Sequence, residues 1–311
     1  MGKTAFLFAG QGSQYPGMAK DLYDNTDAVR ELFDRAEGIR PGTLKMMFEG
    51  TKEELMKTSN TQPCLFLADL AGAVALKEKG ISTDAAAGFS LGEIAALYFC
   101  GILDFDEAFR LVCKRGEVMQ KAAEENEGAM IAVMKTDKDE LISLGKETET
   151  YPVNFNCPGQ IVVSGKIDRI EKLKEILTER KVRFVPLSVG GPFHTPYMES
   201  ASKELKEELE KKDAYHIRKA EIPLYSNKTA MLYPDNVDEI IETVSSQISN
   251  SVQWEDTLRN MEKSGIDTFV ECGPGKALSG FVKRTVAGAR ILNAADADSL
   301  ESTLRELGAV C

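Results

Sequence analysis

At 311 residues, with 43% hydrophobic and 28% charged side chains, the chain can bury one main core with an insertion, and disordered or fibrous classes drop out. A net charge of −11 argues against nucleic acid as a general partner, and no run of 18 apolar residues offers a membrane span. Six cysteines (Cys64, Cys100, Cys113, Cys157, Cys272, Cys311) lack any C-x-x-C spacing, and His194 and His216 are the only histidines. Free thiols in a reducing cytoplasm and no zinc site are the expectation.

Residues 4–9 form an apolar run too short for a signal peptide and read as a first strand. The run ends in Gly10-Gln11-Gly12-Ser13-Gln14, which starts like a dinucleotide-binding loop, but Tyr15 stands where the third glycine belongs. A polar Gly-rich loop at the carboxyl end of a first strand is where α/β folds place ligand contacts. Asn60-Thr61-Gln62-Pro63 then predicts the cap and start of a helix that runs towards Lys79 and stops at Gly80.

Gly88-Phe89-Ser90-Leu91-Gly92 fits G-x-S-x-G, the nucleophile elbow, which requires a strand before it and a helix after it. Glu93-Ile94-Ala95-Ala96-Leu97 supplies the helix, whereas residues 83–87 make a weak strand. Flanking glycines would relieve the crowding of a strained serine, and Ser90 would face the amides that open the helix. The motif also occurs by chance, so it needs support from elsewhere in the chain.

Residues 106–125 read as a helix with Ala108, Val112, Arg115 and Met119 on its inward stripe. An arginine there is either a snorkelling or ion-paired core residue, or a cation waiting for a substrate carboxylate. From 128 to 189 the pattern is βαββαβ: strands 129–134, 153–157, 160–164 and 182–189, helices 138–146 and 167–180. That order is the ferredoxin-like arrangement. The division that follows is an α/β core of residues 1–126 and 190–311, with 127–189 inserted.

Gly190-Gly191-Pro192-Phe193-His194-Thr195-Pro196 marks a loop of fixed shape around a histidine, whereas His216 follows a charged helix and should be exposed. His194 is therefore the better base for Ser90. Residues 222–227 and 268–272 read as further strands, the second ending in Gly273-Pro274-Gly275.

Taken together, these segments resemble the malonyl-CoA:acyl carrier protein transacylases. The resemblance rests on the Gly10–Gln14 loop, the elbow, Arg115-Gly116, Asn154-Phe155-Asn156-Cys157-Pro158-Gly159-Gln160, Phe193-His194, Gln247 with Trp254, and Glu271-Cys272-Gly273-Pro274-Gly275. It implies an α/β-hydrolase-like parallel-sheet core interrupted by a ferredoxin-like subdomain, with the site between them. It implies that Ser90 takes malonyl from malonyl-CoA and passes it to the phosphopantetheine thiol of acyl carrier protein. His194 would be the base, oriented by the main-chain carbonyl of Gln247, and Arg115 would grip the malonyl carboxylate. The amides of Gln11 and Leu91 would hold the oxyanion, and the chemistry asks for no metal or redox cofactor. A monomeric cytoplasmic enzyme is the corresponding expectation. A Ser-His hydrolase is the rival, and a polyketide-pathway transacylase would share the same chemistry.

One departure stands out. The family most often has His before the nucleophile, and here the residue is Phe89, whose side chain is expected to point away from Ser90. Because the chain and its implied partner are both acidic, docking should need local cations, for which Arg183, Lys283 and Arg284 are the candidates.

Overall fold

In chain order, the first half of the molecule comprises β1 (Lys3–Phe8), α1 (Lys20–Asn25), α2 (Asp27–Ile39), α3 (Thr43–Glu49), α4 (Lys52–Met56), α5 (Thr58–Glu78), β2 (Ala85–Gly88), α6 (Gly92–Phe99) and α7 (Phe105–Glu125). A second unit follows as β3 (Gly128–Met134), α8 (Lys138–Thr148), β4 (Tyr151–Cys157), β5 (Gln160–Lys166), α9 (Ile167–Glu179) and β6 (Phe184–Pro186). The chain finishes with α10 (Glu199–Leu209), β7 (Leu224–Tyr225), α11 (Val237–Ser246), α12 (Trp254–Lys263), β8 (Ile266–Cys272), α13 (Ala277–Thr285), β9 (Arg290–Ala294) and α14 (Ala297–Leu307). This computed structural model describes residues 2–308; Cys311 lies outside them.

Strands β7-β2-β1-β8-β9 form one parallel sheet in that order. Phe8 is level with Gly88 on one side and with Cys272 on the other. Parallel strands in matched register end together, so the Gly10 loop, the elbow and Gly273-Pro274-Gly275 emerge side by side. Sequence preference undersold β2 because its four residues are buried on both faces, where alanines suit a strand pressed between helices.

Helix α5 starts at Thr58, ahead of the predicted cap, and Pro63 is its sixth residue. Proline cannot donate to the carbonyl four residues back, so Ser59 O is left free, and the Arg40 guanidinium donates to it at 3.4 Å.

In the second unit the sheet runs β4-β5-β3-β6, with antiparallel pairs throughout. Alternation divides its strands between two interiors. Ile131, Val133, Ile161 and Val163 pack under α8 and α9, whereas Met130, Ala132, Val153 and Val162 join the large core cluster. Strand β6 is only three residues long, against the predicted 182–189; it is an edge strand ending in Pro186, where an edge tolerates proline, and one more bond to β3 follows, from the Leu187 amide to Met130 O at 2.9 Å. Val252 stitches the two units together: its N–H donates to Val153 O at 2.7 Å, and its carbonyl accepts from the Phe155 amide at 2.9 Å. Among the described residues no helix is long and apolar enough to cross a membrane.

Candidate active site

Ser90 has φ 52°, a left-handed conformation that few serines adopt without support. Both elbow glycines are sterically required. A Cβ on Gly88 would lie 1.9 Å from the Gly92 carbonyl carbon, and one on Gly92 would lie 2.3 Å from Phe8 O. The serine amide donates to Asn227 Oδ1 at 2.6 Å, and Asn227 Nδ2 donates to Gly88 O at 2.5 Å.

His194 also sits at positive φ, 62°, and its amide is tied to Ile248 O at 3.1 Å. Its Nε2 is 2.8 Å from Ser90 Oγ. Its Nδ1 lies 3.1 Å from Gln247 O and 3.0 Å from Asn250 O. Carbonyls only accept, so Nδ1 carries the proton and Nε2 is left as the acceptor that faces the serine. Burial, reinforced by the Arg115 charge, pushes the imidazole down to about 4. His194 is thus neutral around pH 7, the form a general base needs. His216 points to solvent, with Nδ1 2.8 Å from Glu107 Oε1, and takes no part in this cluster.

Arg115 is completely buried. Its Nη2 donates to Ser90 Oγ at 3.2 Å and to Gln247 Oε1 at 2.8 Å. Among the described residues, Nε and Nη1 have no partner. The structure therefore sets the snorkelling alternative aside. The nearby acid is Glu93, which reaches the arginine only through Gln247, whose Nε2 donates to Glu93 Oε2 at 2.9 Å and to Ser90 O at 2.7 Å. Glu93 Oε1 accepts from the Tyr233 hydroxyl. Burial raises the Glu93 carboxyl to about 7 and lowers the Arg115 guanidinium to about 10, while their mutual attraction opposes both shifts.

Gln11 follows β1, and Leu91 opens the turn into α6, so their amides lie at adjoining strand ends. The two segments touch: a Cβ on Gly10 would be 2.7 Å from the Phe89 ring. Beyond them opens a cavity of about 410 Å³ between the sheets, lined by Gln11, Phe89, Asn154, Asn156, Lys276 and Phe281 among others. Another cavity, of about 500 Å³, lies at the opposite ends of the strands by Thr4, Asp84 and Thr268, and it contains none of these groups.

Phe89 packs edge-on against Trp254 at 5.2 Å and near Phe281 at 6.1 Å. Arg284 sits 6.0 Å above the Phe281 ring. Lys283 and Arg284 are exposed on α13, and Arg183 is exposed just before β6 rather than within it. Sequence reasoning assigned no role to Asn227, Tyr233, Lys276 or the Asn250 carbonyl. Glu93 was legible only as a helix former, because its partners are contributed by segments about 135–155 residues away.

The family model described as "Acyl transferase domain" matches residues 5–308. The chain belongs to this acyl transferase family. It is 40% identical to the malonyl CoA-acyl carrier protein transacylase of Bacillus subtilis (strain 168), over 99% of this chain and 98% of that one. A crystal structure of the malonyl CoA-acyl carrier protein transacylase from Clostridium perfringens superimposes with a TM-score of 0.92 at 36% identity, covering 98% and 97% of the two chains. A malonyl-transacylase solved in complex with a type II PKS acyl-carrier protein matches with a TM-score of 0.92 at 32% identity, covering 98% and 99%. These likenesses bear out the acyltransferase and fold expectations. The resemblance drawn from the motifs points to the same enzymes.

Proposed function

We propose that this acyl transferase moves malonyl from malonyl-CoA to the phosphopantetheine thiol of acyl carrier protein through a malonyl-Ser90 ester. The observation that carries this reading is Arg115: a buried guanidinium beside the Ser90 hydroxyl, with two nitrogens that find no acceptor among the described residues. A hydrolase of uncharged esters has no use for such a cation, whereas a carboxylate one carbon removed from the reacting carbonyl fits it.

In acylation, Ser90 Oγ attacks the thioester carbon while His194 Nε2 takes the hydroxyl proton. The tetrahedral oxyanion is read as held by the Gln11 and Leu91 amides, donors worth roughly 10²–10³ in rate each in comparable enzymes. As the C–S bond breaks, the imidazolium returns the proton to the CoA sulfur. The carrier-protein thiol then gives its proton to the same nitrogen and attacks the ester, and Ser90 leaves with its hydroxyl restored. Gln247 O and Asn250 O keep the imidazole in one orientation through both half-reactions. The homologous complex with a carrier protein supports that acceptor.

Intact-mass analysis of acyl carrier protein incubated with enzyme and malonyl-CoA tests the proposal. One added malonyl group is expected with wild type and none with Ser90→Ala. Release of free malonate and CoA with an unmodified carrier would instead establish a hydrolase.

A further inference from the structure

Strand β7 pairs with β2 only at Ala86 and Ala87, so the ladder ends before Gly88 and Ser90. The Asn227 side chain takes over at that point, donating to Gly88 O and accepting from the Ser90 amide, and it is fully buried. A carboxamide offers a donor and an acceptor side by side, which matches the carbonyl and N–H it meets. The other end of the serine peptide is held by Gln247 Nε2 on Ser90 O at 2.7 Å.

One carboxylate oxygen orients both amide residues. Glu93 Oε2 accepts from the Asn227 main-chain N–H at 3.2 Å and from Gln247 Nε2 at 2.9 Å. That second bond also turns Gln247 Oε1 toward Arg115. On the reading of Ser90 as nucleophile, we infer that Asn227 and the Gln247 side chain are positioning residues: a pair of carboxamides, keyed by Glu93, that lock the Ser90 main chain in its left-handed turn and aim Oγ at the acyl carbon. Without them, the serine can relax toward ordinary backbone angles and carry its oxygen away from His194.

The two amides should leave different signatures. The Asn227 side chain bonds to the elbow main chain and not to Arg115, so its loss should slow acylation equally for malonyl and acetyl groups. Gln247 also holds Arg115, so its loss should add a penalty confined to malonyl.

Single-turnover acylation by malonyl-CoA and acetyl-CoA provides the measurement. Asn227→Leu should lower the limiting rate about 100-fold for both substrates, with half-saturating concentrations changed less than about threefold. Asn227→Asp sets an acceptor oxygen against Gly88 O and should be slowed as well. Gln247→Leu keeps the main-chain carbonyl that serves His194; it should lose at least about tenfold with acetyl-CoA and more with malonyl-CoA. An Asn227 variant that folds and acylates within about threefold of wild type would overturn the inference, as would a loss confined to half-saturation. If neither Asn227 variant folds, wild-type acetylation by Gln247→Leu has the same force. Labelling of Ser90 by a fluorophosphonate separates this inference from the functional reading. Wild type that is labelled but never malonylated sinks that reading, and the clamp is then judged on the labelling rates alone.

Discussion

Ser90 and His194, 2.8 Å apart through Oγ and Nε2, both occupy left-handed backbone, at φ 52° and 62°. Each comes from a different part of the chain, and each has its main chain tied to a third segment, 227 for the serine and 248 for the histidine. Behind the imidazole stand two main-chain carbonyls in place of a carboxylate. They fix the tautomer, while burial, reinforced by the Arg115 charge, holds the proton affinity of the ring low against the upward pull of those two hydrogen bonds.

That low affinity makes a pH prediction. With the imidazole at about 4 in the free enzyme, the base is unprotonated from pH 5 upward, and acylation should be flat there instead of falling below 6.5. Once a malonyl carboxylate neutralises Arg115, the second cause of the depression is countered, so deacylation should lose rate at a higher pH than acylation. Rapid-quench measurement of each half-reaction between about pH 4.5 and 8 checks this, and coincident limbs near 6.5 would contradict it. The linkage to stability has a definite sign. The unfolded chain binds the extra proton between about 6.5 and about 4, so stability present above that window is lost as pH falls through it.

Arg115→Ala should cut malonyl transfer by at least about 100-fold while sparing acetyl transfer, because the lost contact is charge-assisted and shielded from water. Arg115→Met should also fold at least as well as wild type at about pH 6. It removes two unpartnered nitrogens from the interior, and Glu93, raised to about 7, can take a proton in place of its lost counter-ion. Thermal melts of both proteins provide the comparison. A marked drop in melting temperature for the Met variant would mean that the cation is part of the scaffold.

Phe89→Ala tests the departure at the residue before the nucleophile. The ring meets Trp254, Phe281 and the Gly10 loop, so its loss should destabilise the fold by about 1–3 kcal/mol, below the fully buried range because Phe89 is half-buried. Transfer by the folded fraction should stay within about tenfold of wild type. A larger loss in rate than in stability would show that the ring shapes the acyl site itself.

Much of this was readable from the chain because the elbow, the Gly10 loop and the His194 loop are local signals, built from glycines, prolines and small residues at fixed offsets. The helix stripe that placed Arg115 inside was also local. What stayed hidden was the pairing among distant polar residues. Nothing in Ser226-Asn227-Lys228 announces that its asparagine caps the end of a strand ladder, and Glu93 looked like any first-turn acid. Strand β2 was undervalued for a related reason: its alanines are chosen by the helices above and below them, a tertiary demand that intrinsic strand preference does not carry.

Reversal of Arg183, Lys283 and Arg284 to Glu should raise the half-saturating concentration for acyl carrier protein, most steeply at low ionic strength. Acylation of Ser90 by malonyl-CoA should change less. Lys276, which lines the cavity where the others lie outside it, provides a contrast. Its change to Glu should weaken CoA and carrier protein together, since both bring the same phosphopantetheine arm. Unchanged carrier kinetics in the triple variant at low salt would move the docking surface elsewhere.

The stitch at Val252 has a bearing on how the molecule can be taken apart. The inserted unit looks excisable, since residues 126 and 190 bracket it in sequence, and many insertions can be trimmed back to a short linker. Here the rung from Val153 through Val252 to Phe155 makes a core segment the neighbour of an inserted strand, only two residues from the Asn250 carbonyl that orients His194. Cutting out the insert would strip Val252 of both main-chain partners and loosen the very stretch that holds the His194 ring. Swapping whole inserts between homologues to change carrier preference should therefore succeed only when the 248–254 segment travels with them.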